Sequence, residues 1–388
     1  MNLIYLKSKT FLARELHNAL SSQTAIIYKH LEVPALPTVE SGEKIFEFLK
    51  PYLPAIILSV NDAGYDGAAR LDTLLEQNGS YRINWYCDHP LYEYIVKQRV
   101  LPPMHNRIDF VTEEWFVTPM RQQGFNAFFL PLAVDPVFFN TNGTVAEVRD
   151  CAFVGNSSLQ FMDDLMSTTS LAESIEKNAV LFNCIKNIYY KNPRSNLYDY
   201  LNAHQTQWKR PISCSDELFT FGMEWMAGYL YRRDFIQAVA KRLGSRFTCF
   251  GDNGWEQFIP KAQVSPDACY YDNLCSYYRS TRINLNMNRI QIRSAFTQRV
   301  FDCKASGSFF LTDRRDGIPR FFETQGAARE IVQYESLDEC LCLVEYFLKH
   351  EDERRQIALA GRSKVLMNHT YKNRVEEMVA VAKKEWGI

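Results

Sequence analysis

Short apolar runs alternate with helix-compatible segments from the first residues to about Phe139. The runs that we predict to be strands are, in order, NLIYL, TAIIY, AIILSV, INWYC, RIDFV and NAFFLPL. Segments between them, such as GEKIFEFLK and GAARLDTLLEQNG, carry apolar residues at helical spacing. Because parallel strands need crossover connections, this alternation predicts βαβ units and a parallel sheet.

A second alternation begins at DCAFVGN, after the polar segment 141–147, which we interpret as a linker. Its later strands are predicted at RFTCFG, RINLNM, SFFLT and EIVQY. Residues 157–228 are too many for an ordinary crossover and have an amphipathic pattern, so they predict a helical insertion. Its aromatic content suggests a wall for recognition of a ligand or partner, or a contact between copies, and a self-contained helical cap is the structural alternative.

Length and composition favour two ordinary globular domains. The chain has 388 residues, 46% of them hydrophobic and 23% charged, and its net charge is −1. Such a balance provides no overall field that would recruit nucleic acid or an anionic membrane. Neither a secretory signal nor a membrane-spanning run of about 18–20 apolar residues is apparent, which predicts a cytoplasmic protein.

The common metal-binding patterns do not occur in this sequence. Ten cysteines are scattered without C-x-x-C, and seven histidines include no H-x-x-x-H, so we do not expect a zinc site. Asp-x-Asp, a spacing that can hold a divalent cation, is also absent. We therefore expect no obligatory metal or other cofactor.

Three strand ends carry residues suited to binding or proton transfer. Gly155 ends the CAFV strand, where a missing side chain lets phosphate or sugar approach the backbone and Asn156 can donate to it. Asp88 and His89 follow INWYC, where either could accept a proton from a substrate hydroxyl. Asn61 and Asp62 stand at a similar strand end, after AIILSV. A plain βα turn and an Asp N-cap remain the structural alternatives for these positions.

From Tyr277 to Arg374, seven short motifs follow one another in a single block. They are L-N-M, R-V-F-D-x-x-A-S-G, L-T-D, E-I-V-x-Y, D-E-R-R, A-G-R and H-T-Y-x-x-R. As a set they resemble the C-terminal signature of CgeB-like (spore-maturation-type) glycosyltransferases. CAFVGN and C-F-G-D-N-G-W resemble earlier landmarks of the same domain, while NWYCDHP and FFLPLAVDPVFF resemble the N-terminal domain more loosely.

The resemblance implies a GT-B fold, in which two Rossmann-like domains face each other across a cleft. Residues 1–145 would be the acceptor domain and 146–370 the nucleotide-sugar donor domain, with the helical insertion at about 157–228. Residues 371–388 would form a helix that returns towards the N-terminal domain. The implied activity moves a sugar from a nucleotide-diphosphate sugar to an unidentified glycan, protein or modified nucleic acid. A UDP-sugar is favoured by prior frequency alone.

The same resemblance implies a donor site. Asp302 stands where the family usually has a glutamate that binds the ribose hydroxyls, and Ser294 replaces a second acid of the wider superfamily. Ser294 and Ala295 are expected to begin a helix whose N–H groups face the diphosphate. The basic residues of this stretch are Arg289, Arg293, Arg299 and Lys304. Arg293 and Arg299 are the ones expected to contact phosphate oxygens.

The sequence leaves two alternatives to glycosyl transfer open. An epimerase or hydrolase on the same fold would bind the same donor without an acceptor. A non-catalytic sugar- or protein-binding relative would bind without turnover, and the replacement of the second acid by Ser294, together with the large insertion, keeps this alternative open. Oligomerisation is open as well.

Overall fold

The computed structural model describes residues 2–8, 12–24, 26–33, 39–65, 69–90, 103–203, 216–266, 268–290 and 292–388. The chain forms two compact units. The first comprises Met1–Asp135 together with Met367–Ile388, and the second comprises Pro136–Leu366. The predicted linker, 141–147, follows this division, and Arg279 ties it to the second unit by donating to the carbonyl oxygen of Asn142 at 2.5 Å.

The first unit contains a six-stranded parallel sheet with the order β2-β1-β3-β4-β5-β6. Its strands are β1 (Asn2–Lys7), β2 (Ile27–Glu32), β3 (Ile56–Val60), β4 (Tyr81–Tyr86), β5 (Arg107–Val111) and β6 (Ala127–Phe129). Its helices are α1 (Ala13–Ser21), α2 (Val39–Leu49), α3 (Arg70–Gln77), α4 (Val117–Gln122) and the C-terminal helix α14 (Tyr371–Trp386). The central strands β1 and β3 are almost wholly buried, as expected for a parallel sheet.

The second strand lies later in the sequence than predicted. The apolar run TAIIY was expected to form it, but β2 spans IYKHLE, and the Ile27 side chain is 62% exposed. Because β2 is at the edge of the sheet, polar residues can occupy it without burying unpaired groups. A prediction from apolar content alone therefore placed this strand too early in the sequence.

The H-T-Y-x-x-R motif attaches α14 to the first unit. Arg374 is buried and donates to the carbonyl oxygen of Pro131 at 2.7 Å and to that of Leu132 at 3.2 Å. Thr370 caps the helix in a reciprocal arrangement with Asn373. The signature thus has a structural role here, which is to satisfy the carbonyl groups that follow β6.

The second unit has its own six-stranded parallel sheet, with the order β12-β11-β10-β7-β8-β9. Its strands are β7 (Arg149–Val154), β8 (Phe247–Phe250), β9 (Val264–Ser265), β10 (Thr281–Asn286), β11 (Phe310–Asp313) and β12 (Val332–Tyr334). The two-residue β9 was not predicted, because so short a segment has no readable periodicity. Strand order reverses between β7 and β10, and such a point is where open α/β sheets bind ligands.

Helices fill the segment between β7 and β8, as the insertion prediction requires of its described residues. They are α5 (Leu159–Thr168), α6 (Leu171–Lys177), α7 (Ala179–Lys191), α8 (Leu197–Ala203) and α9 (Asp216–Leu243). With 28 residues, α9 is about 42 Å long. Its first half packs on α6, α7 and α8, and its second half packs on β8. The remaining helices of this unit are α10 (Leu274–Arg279), α11 (Arg299–Ala305), α12 (Leu337–Lys349) and α13 (Glu351–Asn368).

The expectation that a helix begins at Ser294 is wrong, because α11 begins at Arg299. The preceding loop is held by other bonds. The carbonyl oxygen of Ser294 accepts from the backbone N–H of Gly317 at 2.8 Å. The backbone N–H of Thr297 donates to the side chain of Asn288 at 3.2 Å. A helix that started at Ser294 would need these same backbone groups for its own i→i−4 hydrogen bonds.

Lys304 lies on α11 with its side chain completely buried. The Nζ atom has no hydrogen-bond partner among the residues that the structure describes, and it lies 5.9 Å from the centre of the Phe309 ring. Gly361 makes room for it, since a β-carbon there would approach Lys304 Cδ to 2.7 Å. Burial lowers the pKa of Lys304 to about 8.

We expect the substitution Lys304→Met to stabilise the protein at pH 7 by up to about 3 kcal/mol. The folded protein releases the lysine proton near pH 8, whereas the unfolded chain holds it up to its ordinary pKa of 10.5. The wild type therefore gains stability as pH rises from about 8 to 10.5 and lacks that gain below this interval. Chemical denaturation at pH 7 and pH 10 should show the difference between the two proteins shrinking at pH 10.

Lys372→Met, at an exposed position on α14, is the control and should change stability little at either pH. A destabilised Lys304→Met protein at pH 7 would contradict the assignment of a buried, unpaired ammonium.

Candidate functional site

The turn after β7 lies where the strand order of the second sheet reverses, and three contacts fix it. The backbone N–H of Gly155 donates to the carbonyl oxygen of Phe250 at 2.8 Å. The indole N–H of Trp255 donates to the carbonyl oxygen of Gly155, also at 2.8 Å. The backbone N–H of Ser157 donates to the Asp252 carboxylate at 3.1 Å. Trp255 is buried against Phe153 as a core residue.

Arg232 approaches this turn from α9. Its side chain is 5% exposed, and its guanidinium carbon lies 5.0 Å from the centre of the Phe153 ring. None of its three guanidinium nitrogens has a hydrogen-bond partner within the described residues. A β-carbon on Gly155 would collide with Arg232 Nη2, so the missing side chain is what admits the guanidinium. A buried guanidinium without partners is costly and therefore informative.

Two more arginines share this position. Arg299, the first residue of α11, donates from Nη1 to the carbonyl oxygen of Val154, and the same nitrogen would lie 2.8 Å from a β-carbon on Gly155. Arg289 follows β10 and lines a pocket together with Arg232. Burial, with Arg289 and Arg299 adding like charge, holds the pKa of Arg232 well below its usual range. Burial is also the main cause that lowers the pKa of Arg299 to about 10.

The three arginines and Gly155 form what we call the arginine site. Asp252 offsets part of the charge on Arg232, but its carboxylate is engaged by the turn. Guanidinium groups present several N–H donors in a planar array that matches phosphate and carboxylate oxygens. The chemistry that this geometry supports is the binding of a multiply charged oxyanion at the switch point of the sheet.

A pocket extends from the arginine site between α9 and the loop that follows β10. Its lining residues are Ser158, Met162, Tyr189, Trp225, Gly228, Tyr229, Tyr231, Arg232, Met287, Asn288, Arg289 and Ile290. The insertion therefore supplies part of the pocket wall next to Arg232. The sequence predicted no such pocket, because Arg232 and Trp225 are far from the motifs that carried the resemblance.

Arg232 could have been found from the pattern of α9. The buried residues Phe235, Ile236 and Val239 follow it at three-, four- and seven-residue spacing, so it lies on the apolar face of the helix. An arginine on such a face needs either a buried acid or a ligand.

Arg293 is not at the arginine site. Its Nη2 donates to the carboxylate of Glu224 at 2.8 Å, and both side chains are buried. Burial raises the pKa of Glu224, while the charge of Arg293 opposes that rise. Arg293 is therefore paired with an acid on α9. Of the two arginines predicted to contact phosphate, Arg299 is the one that lies beside Gly155. Asn156 is exposed in the same turn.

Asp302 is 1% exposed on α11. Its carboxylate accepts from the hydroxyl of Tyr270 at 3.1 Å, and the Gln298 side chain donates to that hydroxyl. Tyr270 in turn packs edge-on against Phe139. Asp302 follows Arg299 by three residues on the same face of the helix, so it is one turn away from the arginine site.

In the first unit, Asp88 is exposed and Asn61 orients it. The Asn61 amide donates to the Asp88 carboxylate at 2.8 Å, and its oxygen accepts from the backbone N–H of Cys87 at 2.8 Å. His89, by contrast, is buried with its ring edge-on to Trp115 and Phe116. Exposure therefore favours Asp88 over His89 as the group that can meet a substrate.

A buried charge network holds the Asn61 corner. Asn61 and Asp62 both have left-handed backbone angles, with φ of 49° and 55°. The Asp62 carboxylate accepts from the Tyr86 hydroxyl at 2.6 Å, from Arg107 at 3.3 Å and from Arg82. Left-handed angles cost energy outside glycine, so these bonds are what keep the corner in place.

The fold of the chain is that of GT-B glycosyltransferases, with two parallel six-stranded sheets and their helices. Sucrose-phosphate synthase from Thermosynechococcus elongatus superposes with a TM-score of 0.51 at 12% identity, covering 100% of this chain and 99% of that one. A glycosyltransferase from Rickettsia africae gives a TM-score of 0.49 at 9% identity, with 99% and 98% covered.

Residues 232–380 match a protein-family model described as glycosyl transferase-like. The match begins at Arg232 and includes the loop after β10 and all of α11. No curated protein matches the chain.

The described residues contain no helix long and apolar enough to cross a membrane. No group of three or more histidine, cysteine, aspartate or glutamate side chains within that same part of the chain is arranged to hold a metal ion.

Gly155→Ala should weaken binding of inorganic pyrophosphate at least tenfold while leaving the protein folded. The added methyl group collides with Arg232 Nη2 and crowds Arg299 Nη1, so the arginines must move apart. Gly244→Ala is the matched control, because Gly244 also has a positive φ, of 57°, but a β-carbon there meets nothing within 4 Å. If calorimetry gives equal affinities for the two variants, Gly155 does not contribute to anion binding.

Proposed function

We propose that this chain is a glycosyltransferase that takes its sugar from a nucleoside-diphosphate sugar, with the diphosphate bound at the arginine site. The observation that carries the proposal is the buried guanidinium of Arg232 beside Gly155, without a hydrogen-bond partner in the described parts of the chain. The glycosyl transferase-like match and the GT-B fold support the reaction class. The resemblance of the motifs between Tyr277 and Arg374 to CgeB-like enzymes supports the same class.

The charge of the site favours a diphosphate over a monophosphate. Arg232, Arg289 and Arg299 repel one another, and this repulsion adds to the burial that chiefly lowers the pKa of Arg232. A ligand that relieves this repulsion must bring more than one negative charge, which a diphosphate does. As the sugar leaves, charge develops on the diphosphate, and fixed guanidinium groups stabilise that charge without a metal. We therefore propose a metal-independent reaction.

On the nucleoside side, we propose that Asp302 binds the ribose hydroxyls. Asp302 lies one helical turn from Arg299, so a ribose joined to the bound diphosphate is within reach of its carboxylate. The ribose would take the place of the Tyr270 hydroxyl, which now donates to the same carboxylate. The base and the sugar of the donor are open, with UDP favoured by prior frequency alone.

On the acceptor side, we propose Asp88 as the group that takes the proton from the acceptor hydroxyl. It is exposed at the carboxyl end of β4, and Asn61 fixes its orientation through the 2.8 Å hydrogen bond. A carboxylate held in this way can act as a general base once an acceptor hydroxyl lies within hydrogen-bond reach. Glycans, proteins and modified nucleic acids all offer such hydroxyls, so the acceptor class is open.

Replacing Arg232 tests the donor site directly. Arg232→Leu should lower the affinity for UDP, GDP and inorganic pyrophosphate roughly ten- to a hundredfold, the value of one charge-assisted hydrogen bond. Arg232→Lys should retain part of that affinity, because it keeps the charge and loses the planar array of donors. Without ligand, Arg232→Leu should melt at a higher temperature than the wild type, since an unpaired buried charge has been removed.

Arg233→Leu is the matched control, because Arg233 is the next residue and pairs with Asp234 at 2.7 Å. It should bind all three ligands as the wild type does, and excess EDTA should change none of the affinities. Wild-type affinity in Arg232→Leu, measured by calorimetry on folded protein, would rule out the arginine site.

Asp88→Asn should lower turnover about a hundredfold or more while changing the Kd for nucleoside diphosphates less than about twofold. The amide keeps the size of the side chain but cannot take a proton. Release of nucleoside diphosphate is the measurement, with a panel of donors and acceptors, and Glu76→Gln on α3 is the exposed control. Donor consumption that needs no acceptor would favour a hydrolase or epimerase, and binding without any turnover would favour a non-catalytic relative.

A further inference from the structure

A cavity of about 200 Å³ lies in the second unit, at the opposite end of the strands from the arginine site. Thr281, the first residue of β10, and Ser308, two residues before β11, line it, so it lies at the amino ends of these strands. The arginine site follows the carboxyl ends of β7 and β10, and the six residues of β10 span about 20 Å. A buried water needs only roughly 10–15 Å³, so this cavity, which we call the basic cavity, has room for a small molecule.

Positive charge dominates the lining of the basic cavity. Its four arginines are Arg279, Arg282, Arg354 and Arg355. Glu147 is the one acid among the described residues that line it. The Glu147 carboxylate accepts from Arg354 at 2.8 Å and lies 3.7 Å from Arg282, so two of the four guanidinium groups share one negative charge.

Acids that flank the cavity do not balance the remaining charge. Asp150 pairs with Arg282 at 2.7 Å, and Glu351 pairs with Arg355 at 2.6 Å. Arg279 has no acid partner among the described residues and donates instead to backbone carbonyl oxygens of the linker. Even with the flanking acids included, the cavity therefore keeps an excess of positive charge.

The walls of the basic cavity are fixed by close packing and hydrogen bonds. Arg354 is 2% exposed and donates from Nη1 to the carbonyl oxygen of Phe347 at 3.0 Å. Gly307 has a positive φ of 74°, and a β-carbon there would lie 3.0 Å from Thr141 Cγ2, so the turn before β11 packs directly on the linker. Polar groups that are already held in place lose little conformational entropy when a ligand binds.

Two motifs from the block between Tyr277 and Arg374 contribute residues to the basic cavity. Ser306 and Gly307 end R-V-F-D-x-x-A-S-G, and Arg354 and Arg355 end D-E-R-R. The proposed donor site uses only the beginning of the first motif, at the other end of α11. These four residues therefore have no part in the proposed donor site.

We propose that the basic cavity binds a small phosphate monoester, with the phosphate among the arginines. The excess positive charge favours an anion, and guanidinium N–H groups match phosphate oxygens. A bare phosphate ion would fill only part of the space. Thr281 and Ser306 donate their own protons to backbone carbonyls, so their oxygens remain as acceptors for the hydroxyl groups of a sugar or polyol phosphate. This site is independent of the arginine site.

The test is calorimetry on the full chain with inorganic phosphate, glycerol 3-phosphate and fructose 6-phosphate, and with fructose as the uncharged probe. Each is titrated into Arg232→Leu protein, so that the arginine site does not contribute. We expect the better ester to bind at least about threefold more tightly than inorganic phosphate, and fructose not to bind. The affinity for the ester should fall as salt is added, because the attraction is between charges.

Two variants in the same background locate the ester. Arg279→Gln and Arg355→Gln should each weaken it roughly three- to tenfold, because each removes one charged donor from the lining. The Arg355 side chain is 61% exposed, so folding should not depend on it. Arg314→Gln is the matched control and should change no affinity, because Arg314 also forms a surface pair with a glutamate, Glu335, but does not line the cavity.

Three results would overturn the proposal. If Arg279→Gln and Arg355→Gln bind the ester as Arg314→Gln does, the ester binds elsewhere. If inorganic phosphate binds as tightly as both esters, the cavity takes the free ion. If no phosphate probe binds with a Kd below about 10 mM, the arginines here only hold the linker and α13 in place.

Discussion

A buried guanidinium beside Gly155 is the constraint on which the second unit depends. Removing Arg232 from water costs several kcal/mol unless an opposite charge accompanies it, and its pKa is held down by burial and by two neighbouring arginines. Glycine at position 155 gives the guanidinium room, and Trp255 fixes the carbonyl of that glycine. The sheet, the turn and α9 therefore converge on a charge that the described residues compensate only in part, through Asp252.

The first unit shows what a compensated charge network is like. Arg82 pairs with Asp62 and Asp72, and Arg107 pairs with Asp109 at 2.5 Å, all of them buried. Burial raises the pKa of Asp109 even there, although Arg107 opposes the rise. Because these charges satisfy one another, their role is to hold the corner at Asn61 and Asp62. Arg232 lacks such pairing within the described residues and also lines a pocket, which makes the arginine site a candidate binding site rather than a structural network.

How far the sequence predicted the fold depended on burial. Central strands such as β3 are continuous apolar runs, so their positions were predicted well. The edge strand β2 was shifted, because at an edge the apolar run TAIIY and the strand need not coincide. The helix expected at Ser294 begins instead at Arg299, because Gly317 engages the Ser294 carbonyl, a contact between residues that no local pattern reports.

The candidate site was predicted less completely, for a related reason. Gly155 and Arg299 were identified, since one ends a strand and the other lies in the recognised motifs. Arg293 has the same charge and nearly the same sequence position, yet it pairs with Glu224 on α9. Which of two nearby arginines faces a ligand is decided by acids that are distant in the sequence. Arg232 went unnoticed because it lies within an aromatic-rich helix rather than a motif.

The helix α9 brings these observations together, because it carries both a paired and an unpaired charge. Glu224 forms an ion pair with Arg293, and this pair holds the loop after β10 against α9. Arg232, two turns later, has no such partner among the described residues and lies beside Gly155. A single rigid element therefore sets both the shape of the pocket and the charge at its end.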